Sequence, residues 1–119
     1  MKRLLIETLA KVGFVEGKTL FLQGTLNPAE PYPETFATFW TNDTPDNAHF
    51  DNETKSVDWL FTVILYSNNP ATVNEKPNEI RAALKAAGFI PQGKGQDIPS
   101  DEPTHTGWAM DFIITENLM

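Results

Sequence analysis

Residues 56–66 read S-V-D-W-L-F-T-V-I-L-Y, and this run limits the possible folds more than any other part of the chain. Strand geometry sends alternate side chains to opposite faces, so Val57, Trp59, Phe61, Val63 and Leu65 share one face. Leu60 and Ile64 make the other face apolar as well. A strand that is apolar on both sides has to be covered on both sides. It is therefore expected at the centre of a sheet, with helices on one face and another layer on the other.

Two further segments carry the same period. In residues 36–41, Phe36, Thr38 and Trp40 point one way, and Ala37 and Phe39 the other. In residues 107–115, Trp108, Met110, Phe112 and Ile114 share a face. Residues 19–25 contain Leu20, Phe21 and Leu22 and predict a short strand. Residues 89–96 predict an edge strand, interrupted by Pro91, Gly93 and Gly95. Trp40, Trp59 and Trp108 all read as core residues, since each lies on the apolar face of its strand.

Helical spacing occurs twice. Leu5, Leu9 and Val12 recur at i, i+4 and i+7, with Met1 one turn earlier, and Gly13 follows as a C-terminal stop. Asn69-Pro70 reads as an N-cap followed by the first helical position. Val73, Ile80, Leu84 and Ala87 then continue to Gly88. Pro77 lies inside that pattern and predicts a kink or restart. The connections are polar. Residues 27–34 hold Pro28, Pro31 and Pro33 and predict a rigid extended link, while 42–55 and 97–106 predict long loops. This order implies one α+β domain over residues 1–119, with a mostly antiparallel sheet of four to five strands and two helices packed on one face.

Composition narrows the functional classes. The 119 residues contain no cysteine, which removes disulfide frameworks, thiolate zinc sites and thiol catalysis. The formal net charge of -7 repels phosphate backbones and argues against specific nucleic-acid binding. No apolar run reaches the length of a bilayer span, so no membrane partner is expected. Residues 4–12 follow Lys2 and Arg3 as a leader would. Glu7 and Lys11 interrupt the run, and no small-residue cleavage pattern follows, so it reads as a helix.

Candidate chemistry is sparse. His49 lies among Asp43, Asp46 and Asp51, and His105 follows Asp101 and Glu102. If the two loops converged, a mixed His/carboxylate metal site would result, although no ligand spacing of a known motif is present. A small enzyme using His49 or His105 with nearby carboxylates is an alternative. Ser100 with His105 is the best nucleophile and base pairing, but no nucleophile elbow supports it. Gly93-Lys94-Gly95 lacks phosphate-loop spacing, and no helix follows it. Tyr32 and Phe50 are aromatic residues in polar loops, where such side chains often anchor a partner. The residues alone favour binding or assembly over catalysis, with no cofactor, and a generic binding module of a mobile element is an alternative.

Several stretches carry a family resemblance. They are Tyr32-Pro33 leading into Phe36-Ala37-Thr38-Phe39-Trp40, residues 41–45, the helix end Ala87-Gly88-Phe89, and residues 100–107. Together they resemble small proteins of phage and prophage tail-gene clusters from Gram-positive bacteria. These form the tail-completion or tail-terminator family, also described as head–tail joining proteins. The resemblance runs from the first helix to the last strand. It implies a non-enzymatic virion protein, assembled in the host cytoplasm. Copies would form a ring, often six-fold, that meets the tail tube and head-connector proteins. Such a ring needs heterologous contacts that close. The matching segments 41–45 and 100–107, with the two loop aromatics, give the expected subunit or partner contacts: Tyr32, Asn42, Asp43, Phe50, Asp101, Glu102 and His105.

Overall fold

The computed structural model describes residues 1–22, 32–42, 46–50, 53–100 and 103–117, without the side chains of 46–50, 53–55 and 117. Among the described residues, two helices, α1 (Lys2–Lys11) and α2 (Pro70–Ala86), accompany seven strands. The strands are β1 (Leu20–Leu22), β2 (Thr35–Asn42), β3 (Asp46–Phe50), β4 (Glu53–Ser67), β5 (Ile90–Pro91), β6 (Gln96–Pro99) and β7 (Thr106–Asn117). They form one sheet in the order β1-β2-β4-β7-β5, with β3 joining β4 and β6 joining β7. Among the described strand pairs, β1 and β2 run parallel and the other five are antiparallel. The architecture is α+β, as expected, with more strand segments than the sequence pattern suggests.

The doubly apolar run is the sheet's central strand. β4 is 15 residues long, with β2 and β3 along one edge and β7 along the other. Its Phe61, Val63 and Leu65 join Ala37 and Phe39 of β2 and Met110, Phe112 and Ile114 of β7 in the core. Leu5 and Leu9 of α1 and Ile80 and Leu84 of α2 close that face. Cross-strand partners share a side of the sheet, so a core built from every second residue of three adjacent strands fixes their register.

The helix ends follow their sequence signals. Val12 caps α1, and Gly13 adopts φ +103°, a left-handed conformation that glycine takes at little cost. At α2 the Asn69 side chain accepts a hydrogen bond from the Ala71 backbone N–H at 3.0 Å. Lys76 ties the helices together. Its Nζ donates to the Val12 carbonyl at 2.8 Å, lies 3.0 Å from Glu79 and sits 5.6 Å from the centre of the Phe14 ring. No restart occurs at Pro77, because α2 runs through it as one helix and buries it. Packing of Val73, Pro77, Ile80 and Leu84 along one stripe offsets the hydrogen bond that proline removes.

Two predicted loops contain strands. β3 pairs with Glu53–Val57 of β4 as a hairpin that falls largely inside the segment read as a loop, and most of β6 lies in the segment read as a second one. Of the predicted edge strand 89–96, only Ile90–Pro91 (β5) and Gln96, the first residue of β6, are strand, and both segments lie on the outer edge of β7. Gly93 and Gly95 take φ of +85° and +101° in the turn between β5 and β6. Most of the proline-rich link 27–34 lies outside the described residues.

Candidate interaction surface

The sheet face opposite the helices carries the residues of interest, and it changes character along its length. At one end it is aromatic and packed. Phe36 stacks on Tyr66 with ring centres 5.1 Å apart, and Tyr32 meets the Phe36 ring edge-on at 5.2 Å. His105 completes the group, 5.9 Å from Tyr32 and 5.8 Å from Phe36. Gly107 makes room for it. A Cβ there would lie 2.7 Å from Ile98 Cγ2 and 2.9 Å from the Tyr66 ring. Part of the second layer that β4 requires is thus aromatic side chains from strand ends rather than a helix.

His105 is held on both sides. Its Nε2 lies 2.8 Å from the Pro33 carbonyl oxygen, and its Nδ1 lies 2.9 Å from Thr104 Oγ1. A carbonyl oxygen only accepts, so Nε2 carries a proton. In the neutral ring, Nδ1 then accepts from the threonine hydroxyl. His105 is 7% exposed, and its ring pins the segment before β2 to the segment before β7. Its nitrogens are therefore committed within the chain.

Further along, the face becomes polar. Trp40 Nε1 donates to Asn42 Oδ1 at 3.1 Å, Asn42 Nδ2 donates to Thr62 Oγ1 at 2.7 Å, and Thr62 Oγ1 donates to Asp111 Oδ1 at 2.7 Å. The register explains the row, since Trp40 faces Thr62 and Thr62 faces Asp111 across β2, β4 and β7. One direction of donation runs through all three strands and ends on a carboxylate, which fixes the Asn42 amide and strengthens each bond. Asp111 is exposed and keeps acceptor capacity for donors outside the chain. A groove of about 400 Å³ opens beside it, between Trp40, Thr62 and the turn at residues 92–96.

On β4, β7 and β5 the next rung is apolar, with Asn42 as its β2 member. Leu60, Ile113 and Ile90 are register partners on this face; the first two are half-buried, and Ile90 is 59% exposed. Beyond them the sheet narrows. Ser56 and Val57 pair with both β3 and β7, and His49, Phe50, Glu53 and Thr54 pair only within the hairpin among the described residues. The molecule is correspondingly long, at 53 × 28 × 23 Å.

The expected contact residues fall into two groups. Tyr32 and His105 come together in the aromatic end. Asn42 joins the polar row, and Phe50 lies in β3 at the hairpin end. Asp43, Asp101 and Glu102 lie outside the described residues. The two histidines do not converge. His49 pairs with Thr54, and Thr106, next to His105, pairs with Ser67. Those positions are thirteen residues apart on β4, which spans about 43 Å at the usual strand rise. No group of three His, Cys, Asp or Glu side chains gathers among the described residues.

Sequence reasoning missed Thr62 and Asp111, and it assigned Trp40 to the core. Trp59 and Trp108 do pack against the core, but Trp40 is half-exposed on the opposite face. Alternation within β2 already separates Trp40 from Phe39. The partnership with Thr62 and Asp111 depends on inter-strand register, which no local pattern reveals. No helix among the described residues is long and apolar enough to cross a membrane. No protein-family model matches the chain, and no curated protein matches it either.

Proposed function

We propose that this chain is a non-enzymatic assembly subunit of a phage or prophage virion, of the tail-terminator or tail-completion type. Its copies would form a ring at the head–tail end of the tail. The sequence resemblance suggests the class. The observation that carries the reading is the shape of the sheet, which runs past its helical layer and ends in a hairpin. A chain that folds only for itself gains little from a ribbon beyond its core, whereas a subunit that must touch neighbours gains reach.

The helix-free face supports the same reading. It offers an anchored polar row beside a half-exposed apolar rung, the mixture typical of non-obligate interfaces. A mixed site drawing on both His49 and His105 would need their segments to converge, and these pair toward opposite ends of β4; a small enzyme using either histidine with nearby carboxylates is the rival reading.

The test is negative-stain electron microscopy of the purified protein, alone and mixed with tail tubes from the same genetic element. The expected result is closed rings of uniform diameter, free or capping one end of each tube. Monomers that leave tube ends bare would overturn the proposal.

A further inference from the structure

We infer that a pocket between α2 and β7 receives the β3–β4 hairpin of a second copy of this chain. The inference rests on the ring reading and names the surfaces that would form its contact. The pocket holds about 250 Å³. Val73, Pro77 and Trp108 form its apolar part, and Arg81 and Lys94 bring positive charge to it, beside Asn78. Trp108 is fixed, because its Nε1 donates to the Lys94 carbonyl oxygen at 3.0 Å. Gly95 lets that turn lie against the indole; a Cβ there would collide with Trp108 Nε1 and the Ala109 carbonyl. Arg81 supplies the most specific sign of a missing partner. Its Nε is buried and has no hydrogen-bond acceptor among the described residues. A buried donor left unpaired is destabilising, and a carboxylate brought to the guanidinium would offset that.

Charge selects the occupant. Eight of the nine lysines and arginines fall in residues 2–18 and 70–94, the helical layer and its turns, against four carboxylates. The rest of the chain has Lys55 alone against twelve Asp and Glu. Residues 43–58 hold five carboxylates and that single lysine, and Phe50 and Glu53 form the last described rung of the hairpin. An aromatic residue beside a carboxylate is the chemistry that a tryptophan-backed, arginine-edged pocket takes. The overall charge of -7 argues against a free polyanion as the occupant.

Geometry requires a second molecule. Trp108 pairs with Leu65, and Glu53 lies twelve residues further along β4, about 40 Å away at the usual strand rise. The hairpin therefore cannot fold back into its own pocket. Pocket and hairpin are different surfaces at different ends of the chain, so the contact is head-to-tail. It closes into a ring or runs on as a filament, according to the rotation between copies.

The experiment is sedimentation velocity over a concentration series, with wild type, Arg81→Glu, Glu53→Lys, Phe50→Ala and the double reversal Arg81→Glu/Glu53→Lys. Circular dichroism on each variant checks that it folds. Wild type should self-associate, and more weakly at about 0.5 M salt, where the Debye length is only a few Å. Each single variant should weaken association at least about tenfold, equivalent to about 1.4 kcal/mol. The double reversal should restore it to within about threefold by re-forming the pair with opposite sign. Self-association that the single variants leave unchanged would overturn the pocket assignment while the ring reading stood. A double reversal no stronger than its parents would also overturn it. A wild type that stays monomeric in solution and on tail tubes would overturn both.

Discussion

The two ends of the β4–β7 ladder are built from the same pair of strands and do opposite things. At the Ser67–Thr106 end, both faces are occupied. Helices cover one, and Phe36, Tyr66, Tyr32 and His105 pack on the other. At the Ser56–Asn117 end, β3 takes the outer position on β4, and the core cluster has already ended at Trp59 and Ile114. One end spends its apolar area on the monomer, while the other extends backbone pairing without a core beneath it. A long strand can thus hold a fold together and also reach beyond it.

That contrast is open to attack by substitution. The largest effect belongs to the core between the two ends. Phe61→Ala should cost about 3–5 kcal/mol, because it removes a fully buried ring that stacks on Trp59 and meets Phe89 edge-on. Urea denaturation measures it; a loss below 1 kcal/mol would mean that the core is not centred on β4. His105→Ala comes next, at about 1–3 kcal/mol, because the Pro33 carbonyl loses its donor. If that variant unfolds at the wild-type midpoint, the packed end is looser than described. Asp111→Ala should cost about 1 kcal/mol by leaving the buried Thr62 hydroxyl without its acceptor. The Asn42 side-chain amide resonances should shift as the row relaxes, and unchanged resonances would break the link between the strands. Smallest of all, Glu53→Lys should stay within about 0.5 kcal/mol of wild type in stability. A large loss there would mean that the hairpin supports the monomer, and the contrast between the ends would fail.

Much of the helix-backed half was legible in the sequence, because its signals are local. Alternation gave the facing of β2, β4 and β7, and Asn69-Pro70 and Gly88 gave the limits of α2. The hairpin was not legible. Asp46, Asn47 and His49 have low strand preference and show no apolar alternation, and the edge of β4 imposes the strand from outside. Most of β6 escaped for a related reason: Asp97 and Pro99 look like a loop until β7 lies beside them. The sequence brought Tyr32, Asn42, Phe50 and His105 forward as single residues. It could not say that Tyr32 and His105 touch, or that Asn42 belongs to a row with Thr62 and Asp111, because register between distant strands decides both.

The pairing of β4 with β7 also sets an order of events during synthesis. Their partners are 39 to 61 positions apart in the chain, so this ladder closes late, whereas β2 and β4 meet across a shorter loop. While the chain is growing, β4 waits with one edge unpaired and Phe61, Val63 and Leu65 only partly covered. A stall in translation within residues 68–105 would release a fragment with an open, sticky edge. The acidic residues around that strand would then keep incomplete chains apart until β7 arrives.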